Sequence, residues 1–349
     1  MQDVALINKT GVFYNPFLER HLENTYHIEQ PARTRNTYIK LLNLLGDRVN
    51  FFISNEMISR ESLELVHDKK YVDSIMRYKD IKKEIFLDPD TIIGENSVEC
   101  AILSASLCVK AGIEVMEGNL NNAFALTRPP GHHACSNRAM GFCIFNNIAI
   151  TAGVLMKEYN LTRVAIVDFD VHHGNGTQEI FYDSDKVLFI STHRYPFYPG
   201  TGYFNQIGRG DGIGFTVNIP LPEGTGDNDF AYVYTNLVGK ILKKFEPEIL
   251  LVSAGFDAHF SDPLGGMTLT DTGFRHIVNV ILKSSGKGKV VFMLEGGYNT
   301  ETLPSTVYTT VEEMTLPTNG EVITPVLSDL GEEILEEFNK YINNYWNIL

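Results

Sequence analysis

Two carboxylates and two imidazoles follow one short apolar segment of the chain. Residues 164–167 are rich in valine and isoleucine, and Asp168, Asp170 and His172 come after them at a spacing of two. An extended chain directs side chains two residues apart to the same side, so Asp170 and His172 can reach one point in space. A carboxylate oxygen and an imidazole nitrogen that converge beyond the carboxyl end of a strand make half of a metal site.

Other predicted strands also end in residues that bind metals or transfer protons. His132 and His133, Asp257, and Tyr298 each lie a few residues beyond a separate apolar segment. The carboxyl ends of parallel strands meet at one edge of a sheet, where ligands usually bind. The sequence therefore predicts that these side chains converge into one site.

Alternating strands and helices must position these loops. Apolar segments of strand length are bounded by turn residues, and most are followed by helix-like segments. The predicted strands are residues 4–7, 122–126, 164–167, 187–191, 215–219, 249–253 and 290–294, and the predicted helices are 32–45, 69–78, 97–117, 145–159, 177–182 and 229–244. Residues 11–30 are predicted to form a loop. The alternation predicts a single three-layer α/β/α domain over residues 1–349, with a largely parallel central sheet.

The composition argues against several classes of protein. The 349 residues carry a net charge of −14 and contain no run rich in lysine or arginine, which disfavours nucleic acid and anionic membranes and is compatible with cationic ligands. The four cysteines form no Cys-x-x-Cys pair or disulfide framework. The first residues lack the features of a secretory signal, and no apolar run approaches the roughly 20 residues of a membrane span. We therefore expect a cytoplasmic protein without membrane or direct nucleic-acid contact, and the oligomeric state stays open.

Five motifs extend the pattern of strand-end residues. They are RPPGHHA at residues 128–134, MGFCIFNN at 140–147, VDFDVHHGNGTQ at 167–178, SAGFDAH at 253–259 and LEGGYN at 294–299. Together they resemble the histone deacetylase family, and the first and third have the forms of class II and bacterial members. The resemblance covers about residues 27–300 and implies the arginase–deacetylase fold.

The resemblance implies a catalytic zinc centre. Asp170, His172 and Asp257 would bind one Zn²⁺ per chain, and three protein ligands leave a position open for water and substrate. Such an ion lowers the pKa of its water towards about 7. The sequence does not distinguish Zn²⁺ from Fe²⁺ as the native ion.

Two histidines and a tyrosine are the catalytic residues that the resemblance implies. His132 would pair with Asp168, and His133 with Asn175. An anionic partner raises the pKa of an imidazole more than a neutral partner does, so His133 is the better general base and His132 would act mainly as an imidazolium. Tyr298 would donate its hydroxyl hydrogen to the substrate carbonyl and stabilise the oxyanion.

A narrow substrate tunnel is also implied. Phe142 matches one aromatic wall, and Tyr198 matches the other, where the family usually has phenylalanine. The carbonyl of Gly141 would accept a hydrogen bond from the substrate N–H. Gly297 would leave room for the tyrosine and the substrate. Leu264 lies where a polyamine-selective relative has glutamate, which weakens the case for that substrate.

Further expectations concern the surroundings of the tunnel. Asp90 matches a residue that accepts a hydrogen bond from the substrate amide. Arg33 either lines an internal pocket below the zinc or forms a salt bridge on a helix face. The family also binds K⁺, and the residues that match its inner site are Asp168, Asp170, His172 through its backbone, and Ser191.

These observations predict a zinc-dependent amidohydrolase that removes acetyl or other small acyl groups from acylated lysine side chains or small acylated amines. An acetylpolyamine amidohydrolase is the first alternative. A two-manganese ureohydrolase on the same fold needs carboxylates where this chain has Gly174 and His259. A non-catalytic acyl-amine-binding protein would be expected to lack Tyr298 or a metal ligand. The physiological substrate and the preferred acyl length stay open.

Overall fold

A parallel β-sheet forms the centre of the protein in the computed structural model, which describes residues 9–320 and 322–349. The described strands are β1 (Thr10–Phe13), β2 (Asn50–Phe52), β3 (Ile85–Phe86), β4 (Ile92–Ile93), β5 (Asn122–Ala125), β6 (Val164–Asp168), β7 (Val187–Arg194), β8 (Thr216–Leu221), β9 (Ile249–Ala254) and β10 (Val290–Leu294). Eight of them form the sheet in the order β2-β1-β5-β10-β9-β6-β7-β8, with every neighbouring pair parallel. Strands β3 and β4 form a separate antiparallel pair.

Helices cover both faces of this sheet. They are α1 (Ala32–Leu45), α2 (Arg60–Leu63), α3 (Lys69–Met76), α4 (Ser97–Met116), α5 (Asn147–Tyr159), α6 (Asn175–Phe181), α7 (Asp227–Val233), α8 (Gly239–Phe245), α9 (Asp271–Ser284), α10 (Leu303–Thr315), α11 (Asp329–Tyr341) and α12 (Asn343–Trp346). A π-helical turn, Tyr234–Val238, joins α7 to α8. No helix within residues 9–320 or 322–349 has both the length and the apolar character needed to cross a bilayer.

Alternating side chains give the sheet two buried faces. In β6, Ala165 and Val167 belong to one apolar cluster, whereas Val164 and Ile166 belong to another. The first cluster includes residues of α1 and of α7 to α10, and the second includes residues of α4 and α5. All five residues of β6 are buried, as expected for a strand that is covered on both sides. The layers confirm the predicted α/β fold class with a largely parallel sheet.

The prediction is wrong over part of the N-terminal region. Residues 11–30, predicted as a loop, contain most of β1 and a 3₁₀ turn at Pro16–Arg20. Glycine disfavours strands in general, but a Cβ on Gly11 would lie 2.5 Å from Cδ1 of Leu120, so close packing explains this residue in β1. The strand predicted at residues 4–7 lies outside the described residues. The prediction also omits strands β2 to β4, helix α2 and helices α9 to α12.

The strand order brings the functional loops together. Strands β5, β10, β9 and β6 are consecutive neighbours. Their register pairs Met293 with both Ala125 and Ser253, and it pairs Ser253 with Asp168. The carboxyl ends of these four strands are therefore level to within about one residue, about 3.3 Å. The loops that follow them share one edge of the sheet.

The covered strand β6 offers a test of this architecture. We expect Ile166→Ala to lower the free energy of unfolding by about 2–5 kcal/mol, because a buried methyl-rich side chain is replaced by a cavity. Chemical denaturation followed by circular dichroism measures the change. The control is Ile39→Ala, because the Ile39 side chain on α1 is 48% exposed. Equal losses for the two variants would contradict the two-sided burial of β6.

Candidate active site

Three buried side chains from two neighbouring strand ends are arranged to hold a metal ion. Ligand atoms of Asp170, His172 and Asp257 all lie within 4.8 Å of one another. Asp170 and His172 follow β6, and Asp257 follows β9. In the part of the chain that the structure describes, no other group of three or more His, Cys, Asp or Glu side chains has such geometry.

The donor atoms of this group fit a zinc ion. Nδ1 of His172 lies 3.0 Å from Oδ1 of Asp170 and 3.2 Å from Oδ2 of Asp257. The Oδ2 atom of Asp257 is buried and makes no hydrogen bond to any described residue. An unpartnered buried carboxylate oxygen is unfavourable unless a cation compensates it. Two carboxylates and one imidazole are a ligand set that suits zinc and leaves its fourth position open.

The two carboxylates also change the protonation of His172. Burial alone lowers the pKa of this imidazole. The hydrogen bond to Asp170, the contact with Asp257 and the charges of both carboxylates outweigh burial and raise the pKa to about 10. The pocket therefore favours positive charge at the point where the three side chains meet.

Two adjacent histidines lie beside this group. Nδ1 of His132 lies 2.9 Å from Oδ2 of Asp168, and Nδ1 of His133 lies 2.8 Å from Oδ1 of Asn175. The two imidazole centroids are 4.0 Å apart. The structure thus brings each histidine to its expected neighbour, whereas the catalytic roles of these residues stay predictions.

The neighbours of the two imidazoles give them different protonation states. Burial lowers the pKa of His132, but the charges of Asp168 and Asp170 outweigh burial and raise it to about 10. Burial, together with the positive charges of His132 and His172, holds the pKa of His133 well below its usual range. At neutral pH His132 is therefore a cation and His133 a neutral base.

Glu295 holds the loop that carries both histidines. Its Oε2 atom accepts hydrogen bonds from the N–H groups of Gly131 at 2.6 Å and His132 at 3.1 Å. Its Oε1 atom accepts one from the Ser253 hydroxyl at 3.1 Å. This buried carboxylate is not among the residues predicted from the sequence to have a role. Its position directly after β10 is the signal that could have identified it.

Tyr298 follows two glycines at the end of β10. A Cβ on Gly296 would lie 2.0 Å from Oδ2 of Asp257 and 2.6 Å from Oδ2 of Asp170, so the carboxylates leave no room for a side chain there. Gly297 has a φ of +112°, a conformation that other residues rarely adopt. The Tyr298 side chain that follows is 7% exposed. The loop therefore brings a tyrosine close to the metal-binding group.

Arg33 lies against Tyr298 and is entirely buried. Its guanidinium carbon lies 4.9 Å from the centroid of the Tyr298 ring, and Nη1 lies 2.9 Å from Oε1 of Glu29. Its Nε donates to the carbonyl of Gly297 at 2.6 Å. The salt bridge considered for Arg33 exists, but in the interior of the protein rather than on an exposed helix face.

Aromatic rings flank the group. The Phe142 and Tyr298 rings lie edge to face with centroids 5.9 Å apart, and the Tyr198 and His133 rings do so at 5.2 Å. The Tyr198 hydroxyl is buried and forms no hydrogen bond to a described residue. Burial and the nearby carboxylate of Asp90 raise the pKa of Tyr198. Phe142 thus contacts Tyr298, Tyr198 contacts His133, and the role of the two rings as tunnel walls stays a prediction.

The backbone of Gly141 passes between the histidine loop and Asp90. Its N–H donates to Oδ1 of Asp90 at 3.0 Å, and its carbonyl accepts from the Cys143 thiol at 3.3 Å. A Cβ on Gly141 would lie 2.3 Å from Cδ2 of His133. Glycine therefore allows this segment to approach the imidazole.

Two other predicted residues are Ser191 and Leu264. Ser191 is the register partner of Asp168, and its hydroxyl lies 2.9 Å from Nδ1 of His193. It therefore adjoins one of the carboxylates expected to bind K⁺. Leu264 is half-buried on the loop after Asp257, and it presents no charged group to a substrate.

Comparison with known proteins identifies the family. The model of the histone deacetylase domain matches residues 27–314. The chain belongs to the histone deacetylase family. It is 38% identical over 298 residues to a probable deacetylase of Archaeoglobus fulgidus, and the match covers 84% of this chain and 82% of that protein. The resemblance seen in the five motifs is confirmed.

Eukaryotic relatives in this comparison are longer. Histone deacetylase 18 of Arabidopsis thaliana is 38% identical over 312 residues, which cover 84% of this chain and 46% of that protein. The chain thus spans about half the length of this relative. The crystal structure of the HDA15 HD domain has a TM-score of 0.89 and 34% identity, with coverage of 98% of this chain and 96% of that one. This likeness confirms the arginase–deacetylase fold.

The crowding around Gly296 gives a test of the metal-binding group. The methyl group of Gly296→Ala would press on the carboxylates of Asp170 and Asp257, so we expect the affinity for Zn²⁺ to fall by about tenfold or more. Competition for Zn²⁺ between the metal-free protein and a fluorescent zinc chelator measures this affinity. The control is Gly94→Ala, whose Cβ would lie at an ordinary 3.5 Å from Leu22. Unchanged affinity in the Gly296 variant would show that these carboxylates do not bind the ion.

Proposed function

We propose that the protein is a zinc-dependent amidohydrolase that removes an acetyl or other small acyl group from a primary amine, such as a lysine side chain. The observation that carries the proposal is the buried group of Asp170, His172 and Asp257 in a chain of the histone deacetylase family. His133 and Tyr298 lie beside the group, where a general base and a hydrogen-bond donor are needed. A bound Zn²⁺ would supply a Lewis acid for the substrate carbonyl and an acidified water near neutral pH.

Each catalytic side chain has a separate task in this proposal. The neutral His133 accepts a proton from the attacking water and later gives a proton to the leaving amine. His132, paired with Asp168, stays cationic and stabilises the negative charge that develops. Tyr298 donates its hydroxyl hydrogen to the carbonyl oxygen as that oxygen becomes anionic. The amide C–N bond breaks, and the products are a free amine and a small carboxylate.

The flanking rings favour a slender substrate. Phe142 and Tyr198 would hold the methylene chain of an acylated lysine between them, and the Gly141 carbonyl and Asp90 would bind its polar groups. Leu264 adds no negative charge that would select a polyamine, so we place acetylpolyamines second. A panel of acylated lysine peptides, acetylpolyamines and short acylated amines ranks these substrates by kcat/KM.

A potassium site beside the zinc centre is part of the same proposal. Ser191 is the register partner of Asp168, which supports their placement in one coordination shell. The proposed K⁺ ligands are Asp168, Asp170, the His172 backbone and Ser191. A bound K⁺ would offset part of the negative charge of the two aspartates.

The geometry disfavours a two-manganese ureohydrolase. Position 174 is glycine, and a Cβ there would lie 2.1 Å from Oδ2 of Asp168, so no carboxylate can project from it. At the other required position, Nδ1 of His259 is hydrogen-bonded to the Ser261 hydroxyl at 2.8 Å. The described residues provide ligands for one ion of this kind.

Removal of the metal tests the zinc dependence. We expect the protein to release the fluorophore from an acetyl-lysine reporter peptide, to lose this activity on dialysis against a zinc chelator, and to regain it with equimolar Zn²⁺. The physical reason is that the three protein ligands alone provide no acidified water. Elemental analysis of the active protein should find about one zinc per chain, because a catalytic site with three protein ligands binds one ion. Full activity of the metal-free protein would contradict the proposal.

Tyr298→Phe tests the oxyanion role. Loss of one preorganised donor should lower kcat by about 10²–10³-fold and leave KM and zinc content nearly unchanged. Steady-state kinetics with the reporter peptide measures this. The control is Tyr308→Phe, which removes a hydroxyl that donates to Glu312 within α10 at 2.6 Å. Wild-type kcat in purified Tyr298→Phe would exclude the role assigned to this hydroxyl.

A further inference from the structure

We infer that Asp262 is a positioning residue that holds Tyr298 at a fixed place relative to the metal-binding group. The inference rests on the proposed function, because it is that function which gives the Tyr298 hydroxyl a catalytic task. Asp262 lies on the loop between β9 and α9, five residues after Asp257. One loop thus supplies both a metal-binding carboxylate and the group that we assign to holding the tyrosine.

The Asp262 carboxylate binds the backbone of the tyrosine loop. Its Oδ2 atom accepts hydrogen bonds from the N–H groups of Tyr298 at 2.6 Å and Asn299 at 3.3 Å. Its Oδ1 atom accepts one from the N–H of Leu264 in its own loop at 2.9 Å. Hydrogen bonds to an ionised acceptor are roughly twice as strong as those between neutral groups. Asp262 therefore joins the loop after β10 to the loop after β9.

The tyrosine loop needs fixed partners because its own backbone is permissive. Gly296 and Gly297 precede Tyr298, and glycine restricts φ and ψ less than any other residue. Arg33 binds the loop on one side through the carbonyl of Gly297 at 2.6 Å. Asp262 binds the following N–H groups on the other side. Both contacts act on the backbone next to the tyrosine, so they fix the position of the backbone from which the side chain extends.

The loop that carries Asp262 is itself anchored. The Ser261 hydroxyl lies 2.8 Å from Nδ1 of His259 and 2.9 Å from Oγ1 of Thr302. The Asn299 side chain donates to the carbonyl of Ser261 at 2.9 Å, and the N–H of Asp262 donates to the carbonyl of His259 at 2.9 Å. The carboxylate of Asp262 is therefore fixed by hydrogen bonds of its own loop as well as by those to the tyrosine loop.

A purely structural role is the competing explanation. The bond between Asp262 and the N–H of Leu264 has the pattern of an Asx-turn, which stabilises a loop whatever the loop does. A structural role predicts that loss of the carboxylate lowers stability and activity independently of the tyrosine hydroxyl. A positioning role predicts that the loss of activity depends on that hydroxyl. A double-mutant cycle separates the two explanations.

The cycle uses Asp262→Asn with and without Tyr298→Phe. The substituted side chain keeps the shape of the carboxylate, but only one of its two polar atoms can accept a hydrogen bond. It therefore cannot bind both the Leu264 N–H and the tyrosine loop, and it has no charge to strengthen the bond that remains. In the otherwise wild-type chain we expect kcat to fall by about 10- to 100-fold, because misplacing a catalytic group lowers the rate by about this much. KM and zinc content should stay nearly unchanged. In the Tyr298→Phe background the same substitution should change kcat by less than about twofold, because the misplaced hydroxyl is already absent.

Each other outcome has a defined meaning. Equal losses of kcat in both backgrounds, or unchanged kcat in Asp262→Asn alone, would overturn the inference. Full activity of Tyr298→Phe would instead overturn the proposed function, so the two failures are distinct. The control is Asp271→Asn, since the Asp271 side chain is 45% exposed and accepts from the Thr306 hydroxyl at 2.7 Å. If the amide variant does not fold, Asp262→Ser takes its place in the cycle.

Discussion

Two buried carboxylates that face one point repel each other unless a cation lies between them. Asp170 and Asp257 are fully buried, and the described residues partner their oxygens unequally. The N–H of Gly296 donates to Oδ2 of Asp170 at 2.8 Å, and the N–H of Val171 donates to Oδ1 of Asp257 at 2.9 Å. Oδ2 of Asp257 receives no such bond from the described residues. The fold thus satisfies Asp170 more fully than Asp257 and leaves one oxygen of Asp257 for a positive ion.

A rigid scaffold is required to hold like charges this close together. The residues around the group come from loops after four adjacent strands, and the sheet that carries these strands is buried on both faces. Other buried polar side chains around the group are hydrogen-bonded: His132 pairs with Asp168, and Glu295 accepts from two backbone N–H groups and a serine hydroxyl. Hydrogen-bonded networks of this kind make a buried site specific and rigid. The same sheet edge that concentrates negative charge therefore also fixes the positions of the proton-transfer groups.

The sequence predicts best what depends on local spacing. Asp170 and His172 are recognised because they lie two residues apart directly after an apolar run. Strands β5 to β10 are each marked by an apolar run, so the ends of these strands are predicted to within about three residues, inside the usual boundary error. Tertiary contacts between distant segments carry no such signal. The bonds of Asp262 to Tyr298 and of Arg33 to Gly297 join segments 36 and 264 residues apart. Short strands are missed for a related reason, since β1 and β2 are stabilised by their neighbours in the sheet rather than by their own composition.

The electrostatics of the group also determine what Tyr298 can do. Burial raises the pKa of Tyr298, the cation of Arg33 opposes this shift, and the charges of Asp257 and Asp170 add to it, so the pKa lies well above its usual range. The phenol is therefore protonated at neutral pH, as a hydrogen-bond donor must be. Burial and the carboxylates that attract a metal ion thus both favour the protonated form of the tyrosine, which can donate. Arg33 limits the shift and binds the tyrosine loop through its backbone, so one buried cation contributes to both the charge and the geometry of the site.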